Sequence, residues 1–293
     1  MKVLNQQGLP DALVKAVTFR QRKPGRLSAT TMLKGTKSVL LEDRHWDNLE
    51  VDVEDQLFAL FGKAIHHLLE DEGENDFTEE FMSYEMDGVT VTGIIDNYNM
   101  KTGVITDWKT VKAFKIVLGK YDDWWKQGMI YAWLLKKNGF EAKTCQFIAL
   151  LKDHSKQQAR RNSSYPKSAL VVHKFNVTDA GLEEIEKFIK SKIAEYKQNK
   201  DLLDDEIPPC TPEERWDKPT TFAVMKPGNK RATKVCDSNE EAEKIAADLG
   251  KGAFVETRLG ESIRCADYCS CCEYCNFYRD NVATVEAQET AAA

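Results

Sequence analysis

"GVITDWKTVKAF", residues 103–114, sets Asp107 and Lys109 two positions apart inside a strand-like run. Strand side chains alternate between faces, so this carboxylate and ammonium share one face. A salt bridge on the surface of a sheet is one use of such a pair, and contributes little. Half of a metal-dependent active site is another. The flanking segments decide between them.

Upstream, "EEFMSYEMDGVTVTGIID" (79–96) alternates around Asp87-Gly88, which reads as a hairpin turn. A second reversal at "NYNMKTG" (97–103) returns the chain into the 103–114 stretch, giving three successive antiparallel strands. Asp96 then falls beside Asp107 if that connection is tight. Two carboxylates converging there repel unless a divalent cation sits between them, and oxygen-rich sites suit Mg2+ or Mn2+. Before the hairpin, "VEDQLFALFGKAIHHLLED" (53–71) has apolar residues at helical spacing. His66 and Glu70 lie four apart on one face of that helix. His66 can add a nitrogen ligand, while Glu70 can hold the imidazole or a second metal from outside. Gly62, four residues before His66, would let another element approach closely.

Downstream, "DDWWKQGMIYAWLLKKN" (122–138) reads as an amphipathic helix with Gln127 and Tyr131 four apart. Their amide and phenol could bond a phosphate or brace the neighbourhood of Lys109. Tyr121, Trp124 and Trp125 precede them and could stack on bases. Strands at 144–152 and 169–177 and a helix at 178–199 complete a mixed-sheet α/β (α+β) domain, drawn as residues 1–205. Proline and acid then crowd residues 201–219, marking a linker or surface crossing. Residues 206–280 form an expected appendage, with a small αβ insertion at 221–260. Residues 281–293 read as a disordered tail.

The chain has 293 residues, 42% hydrophobic, and a net charge of −6, which argues weakly against nucleic acid. The charge is uneven, however, with basic clusters at 19–26, 156–161 and 226–234, a distribution suited to holding a phosphate backbone. No apolar run approaches the ~20 residues of a membrane helix, and the N-terminus lacks a secretory pattern. The expected location is cytoplasmic, in the host if the protein is viral. Among eight cysteines, Cys265, Cys269, Cys271, Cys272 and Cys275 crowd together, which in a reducing compartment favours metal ligation over disulfides.

The order G-xxx-H-xxx-E on a helix, G-x-x-D on a strand, D-x-K-T on the next strand and Q-xxx-Y on the next helix resembles the RecB-like branch of the PD-(D/E)xK nuclease superfamily, over about residues 28–200. The resemblance implies a restriction-endonuclease-like mixed sheet flanked by helices. It also implies phosphodiester hydrolysis with one or two Mg2+ or Mn2+ ions. Carried over, His66, Asp96, Asp107 and the carbonyl of Trp108 hold metal. Lys109, Asp96, Asp107, Glu70, Gln127 and Tyr131 make up the catalytic set. The activity implied is that of a DNA exonuclease acting on ends or single strands. With no helicase motif, the chain suits recombination, repair or a phage or mobile element, with a recombination protein as partner. A non-catalytic nucleic-acid-binding or adaptor protein on the same fold is the alternative, and RNA cleavage stays open.

Cys210 with the terminal cluster looks like the iron–sulfur subgroup of that branch, which includes the CRISPR-adaptation and AddB-type nucleases. The likeness assigns Cys210, Cys265, Cys269 and Cys275 to a [4Fe–4S] cluster that closes the appendage. The spacing departs from the family's: Cys265 and Cys269 enclose three residues rather than two. Cys272 and Cys275 form a competing C-x-x-C, and a tetrahedral Zn2+ site is the alternative.

Overall fold

A computed structural model describes residues 1–17, 19, 21–70 and 76–284, the side chains of Glu70 and Asp76 excepted. The chain divides into two units, Met1–Leu202 and the residues from Leu203 onward.

In chain order the first unit runs β1 (Lys2–Leu4), α1 (Asp11–Ala16), β2 (Arg26–Ser28), α2 (Ala29–Met32), α3 (Thr36–Arg44), β3 (Glu50–Asp52), α4 (Leu57–Glu70) and β4 (Asp76–Met86). It continues with β5 (Val89–Asn99), β6 (Val104–Val111), α5 (Ala113–Leu118), α6 (Asp122–Lys137), β7 (Thr144–Leu151), α7 (Lys156–Arg161), β8 (Leu170–Asn176) and α8 (Asp179–Asn199). The main sheet has the order β2-β5-β6-β7-β8, with β4 also paired to β5. It is a mixed sheet flanked by helices, as the sequence predicts.

Local chemistry explains the main turns. Asp87 and Gly88 both have positive φ, 51° and 74°, which a two-residue type I′ hairpin loop requires. Ser28 caps α2 by accepting from the Thr31 amide at 3.1 Å. α6 crosses over between β6 and β7, so those two strands pair in parallel while β4, β5 and β6 are antiparallel. α6 is buried continuously from Gln127 to Leu135, and that stretch carries no charge, while Asp122, Asp123, Lys126, Lys136 and Lys137 lie toward its ends. Gly93 on β5 is what lets it settle: a Cβ there would stand 2.9 Å from both Leu134 Cδ1 and Tyr131 Cε1.

The second unit begins with α9 (Pro212–Arg215), capped by a Thr211/Glu214 capping box, and β9 (Asp217–Lys218). β10 (Thr221–Met225), β11 (Lys234–Cys236), α10 (Asn239–Leu249) and β12 (Phe254–Arg258) form the small αβ insertion. Its sheet order is β11-β10-β12, and its core is Val224, Cys236, Ala242 and Ala246. β13 (Glu261–Ser262) then returns to pair with β9, followed by α11 (Ile263–Asp267) and α12 (Asn276–Tyr278).

The expected tail needs correcting at its start. Arg279–Ala283 is π-helical and Val282 is buried, because an apolar side chain there finds a packing site. Residues 285–293 lie outside the described residues. No described helix is long and apolar enough to cross a membrane.

Candidate active site

Register sets the site. β5 pairs with β6 through Asn97↔Thr106, Tyr98↔Ile105 and Asn99↔Val104. One position beyond the end of that ladder, Asp96 comes opposite Asp107. There the Trp108 amide donates to Asp96 Oδ2 at 2.9 Å instead of to a strand carbonyl. On the other edge of β5, Thr78↔Asn97 and Glu80↔Ile95 bracket a missing pair, which would be Glu79 with Asp96. Three acids, Glu79, Asp96 and Asp107, therefore lie in one row across three neighbouring strands. Like charges directly opposite destabilise a sheet.

α4 brings an imidazole to this row. His66 Nδ1 lies 3.2 Å from Glu79 Oε1 and 3.6 Å from Asp96 Oδ1, and Nε2 lies 3.1 Å from the Trp108 carbonyl oxygen. One ligand atom each from His66, Glu79 and Asp96 fall within 4.8 Å of one another. Gly62 faces Thr110 on β6, but a Cβ there would sit 3.5 Å from Thr110 Oγ1, ordinary contact. The close approach expected at Gly62 is present, yet it does not demand glycine. The Glu70 side chain, expected to hold the imidazole, lies outside the described residues. Among the described residues, the carboxylate at hydrogen-bond distance from the ring is Glu79.

Asp107 is 1% exposed, and its two oxygens have different surroundings. Oδ2 accepts from Gln127 Nε2 at 3.0 Å. Oδ1 is buried without a directed hydrogen bond, and its counter-charge is Lys109 Nζ at 2.5 Å. Burial pushes the Asp107 carboxyl up to about 6 against the pull of Lys109, and the Asp96 charge adds to the rise. Asp96 is raised in the same direction by burial, opposed by the Trp108 amide and His66. Gln127 Nε2 also donates to Tyr131 Oη at 2.8 Å. Both side chains are buried, so they brace Asp107 and are not placed to meet a phosphate directly.

Trp124, expected to stack on bases, is a core residue instead. It is 3% exposed and stacks on Phe147 at 5.4 Å, while Tyr121 stacks on His173 at 4.1 Å. An amphipathic helix start supplies rings to the sheet as readily as to solvent. Among the described residues of the first unit, the exposed phenylalanine rings are Phe58, Phe61, Phe81 and Phe114.

Glu79 was missed by the sequence reading because "EEFMSYEM" looks like an ordinary surface strand. The signal was available in the turn. A two-residue loop at Asp87-Gly88 pairs Met86 with Val89, and counting back seven residues pairs Glu79 with Asp96. Counting cannot reveal that Glu79 has φ 48°. That left-handed conformation costs a non-glycine residue about 1–2 kcal/mol.

In the second unit side-chain bonds tie together the segments that carry the cysteines. Arg215 Nη1 donates to the Cys210 carbonyl, Nε bonds Asp217 Oδ2 at 3.1 Å, and the guanidinium lies 4.2 Å from the Phe277 ring. Ser262 donates to Asp217 at 2.7 Å and Arg264 to the Glu214 carbonyl at 3.2 Å. At the neck of the insertion only glycine fits position 260, where a Cβ would meet the Lys218 carbonyl oxygen at 2.6 Å. Burial, then the charges of Cys269, Cys210 and Cys275, push the Cys265 thiol up to about 12. Cys269 Sγ is 3.6 Å from Cys271 Sγ, so Cys271 also borders the cluster. Cys145 and Cys236 are buried in strands elsewhere.

No family model and no curated protein matches the chain. Among solved structures, SSO0001 aligns at 15% identity with a TM-score of 0.43, covering 63% of this chain and 82% of that one. A phage-related exonuclease from Haemophilus somnus 129PT aligns at 14% identity and a TM-score of 0.38, covering 59% of this chain and 94% of that one. The alkaline exonuclease LHK-Exo from Laribacter hongkongensis aligns at 15% identity and 0.39, covering 59% and 89%. With identities this low and TM-scores of 0.43 or less, the functional reading rests on this chain's own residues.

Proposed function

We propose that the first unit is a Mg2+- or Mn2+-dependent deoxyribonuclease, an exonuclease that works at ends or on single strands. The observation that carries this reading is the convergence of Asp96 and Asp107 at adjoining strand positions, closed by His66 and by Lys109. The donor set fits a hard divalent cation: carboxylate oxygens, the Trp108 carbonyl and one imidazole. The buried Asp107 Oδ1, paired only with an ammonium, is a further group such a cation would satisfy. His66, Asp96, Asp107 and the Trp108 carbonyl would hold it. When bound, the cation supplies Lewis acidity toward a phosphate oxygen and lowers the pKa of water.

The chain's own groups do the rest. The Asp107–Lys109 pair places an ammonium at the edge of the acidic row, where it can orient water and offset charge developing on phosphorus. Gln127 holds Asp107 from behind through Oδ2 and so fixes the direction of Oδ1, the oxygen beside Lys109. Tyr131 fixes the amide in turn. The preference for unpaired DNA draws on the exposed Phe58, Phe61 and Phe114 rings, which offer stacking faces. Lys152 Nζ sits 3.5 Å over the Phe58 ring, adding positive charge beside an aromatic face on the helix that carries His66.

End-labelled single- and double-stranded DNA, with an RNA arm, tests the reading in Mg2+ and in Mn2+. Lys109→Ala should lower cleavage by about 10²–10³-fold while the fold is retained by circular dichroism. Undiminished cleavage removes Lys109 from the site, and tight DNA binding without cleavage in either metal favours the adaptor alternative.

Cys210, Cys265, Cys269 and Cys275 would hold a [4Fe–4S] cluster with a structural role, closing the chain around the insertion. The Arg215 and Ser262 links that draw residues 210–217 toward 262–277 support this placement. Protein purified without oxygen should be brown and absorb in the visible. Colourless protein with one equivalent of zinc assigns the thiolates to Zn2+ instead.

A further inference from the structure

We propose that Glu79 is an additional ligand of the divalent cation, a role that the sequence pattern does not assign and that the left-handed backbone at this residue makes possible. The inference rests on the metal-dependent reading of the site and extends it by one residue on a third strand. It starts from position. β4 keeps its register with β5 on both sides of Glu79, at Thr78↔Asn97 and Glu80↔Ile95, yet the pair between them is not formed. At that one step Glu79 takes φ 48°, which glycine, asparagine and aspartate tolerate far better than glutamate.

On β5 the buried residues are Val89, Val91, Thr92, Gly93, Ile95, Asp96 and Tyr98, so both faces of the strand are covered and Asp96 is buried within it. On β4, Met82 is buried opposite Gly93. Glu79 and Asp96 are thus at the one step where the ladder pair is missing, and both carboxylates lie beside His66. Glu79 Oε1 ends 3.2 Å from His66 Nδ1, within the group whose ligand atoms lie inside 4.8 Å.

A structural role for Glu79 as a partner for His66 is the competing explanation. It accounts for the hydrogen bond but not for an acid set beside Asp96, itself next to Asp107. The row brings three carboxylates together, and Lys109 is already paired with Asp107. Asp107 Oδ1 is buried at the far end of the row with the Lys109 ammonium beside it. A divalent cation bound at the His66–Asp96 end removes the repulsion and uses the third carboxylate.

Calorimetric titration with Mn2+ alone, without DNA, tests this in the full chain. His66→Ala serves as the control that locates binding at this site. Glu79→Gln should weaken Mn2+ binding at least tenfold, the loss expected even for an outer partner of a metal ligand. Glu79→Gly should weaken it equally and leave the metal-free melting temperature unchanged or higher, because glycine adopts positive φ without strain. Mn2+ binding by both variants within threefold of wild type overturns the inference and leaves the nuclease reading standing. A drop in metal-free melting temperature for Glu79→Gly, with the Mn2+-induced rise in that temperature intact, overturns it in favour of the structural role. Wild-type protein that binds no Mn2+, or whose binding survives His66→Ala, overturns the inference together with the metal site it extends.

Discussion

Asp107 and Glu186 are both carboxylates paired with a lysine in the same unit, and they respond in opposite directions. Asp107 meets Lys109 at 2.5 Å and is still pushed up to about 6, because burial outweighs the pairing. Glu186 meets Lys190 at 2.8 Å and is pulled down to about 2, first by the Lys190 hydrogen bond and then by Trp133. Glu186 also accepts from Trp133 at 2.9 Å and pairs with Lys137 at 3.2 Å, and it lies partly in solvent. Extra partners and water together make the difference. Water completes the solvation of Glu186. Asp107 has a neighbouring acid instead, which leaves room for more positive charge than one ammonium provides.

The same substitution at the two lysines gives the sharpest contrast. Lys109→Met strands a buried carboxylate and should cost about 3–5 kcal/mol in urea unfolding at neutral pH without metal. Lys190→Met removes one exposed i, i+4 partner and should cost about 0.5 kcal/mol or less. Losses of equal size would mean that Asp107 is better solvated than its burial implies.

A smaller effect belongs to the amide behind the site. Gln127→Ala takes the donor from Asp107 Oδ2 and should cost about 1–3 kcal/mol. In an Asp107→Ala background the same change should cost much less, and the double-mutant cycle reads the difference. Additive costs would place Gln127's contribution in core packing rather than in holding the carboxylate.

The residues show why the site was largely readable and where reading stopped. Period-two alternation and a tight reversal at 97–103 carry enough information to set Asp96 beside Asp107, because strand register follows from turn length. Helical spacing likewise places Gln127 and Tyr131 on one face. Both arguments are local. Glu79 needed the register to be followed across a further strand, and its backbone conformation is not written in a glycine or asparagine. Trp124 failed for a related reason: an aromatic residue at the start of an amphipathic helix has the same pattern whether it faces a base or Phe147. The cysteine spacing indicated a shared site, while the hydrogen bonds of Arg215 and Ser262 that draw the segments together leave no pattern in spacing.

The smallest expected effect tests the solvent side of the contrast. Glu186 has a folded-state pKa below its ordinary value of 4.5, so its ionised form is favoured by folding. Its stabilisation is therefore complete above about pH 4.5 and is lost as the pH falls through about 2. The melting temperature of Glu186→Gln should lie slightly below wild type at pH 7, and the gap should close on acidification toward pH 2. The gap is small because the pair is exposed and salt screens it, so raising the ionic strength should shrink it further. A gap that widens as the pH falls would reverse the sign of the linkage. Glu186 would then resemble Asp107, with desolvation rather than its lysine partners setting its behaviour.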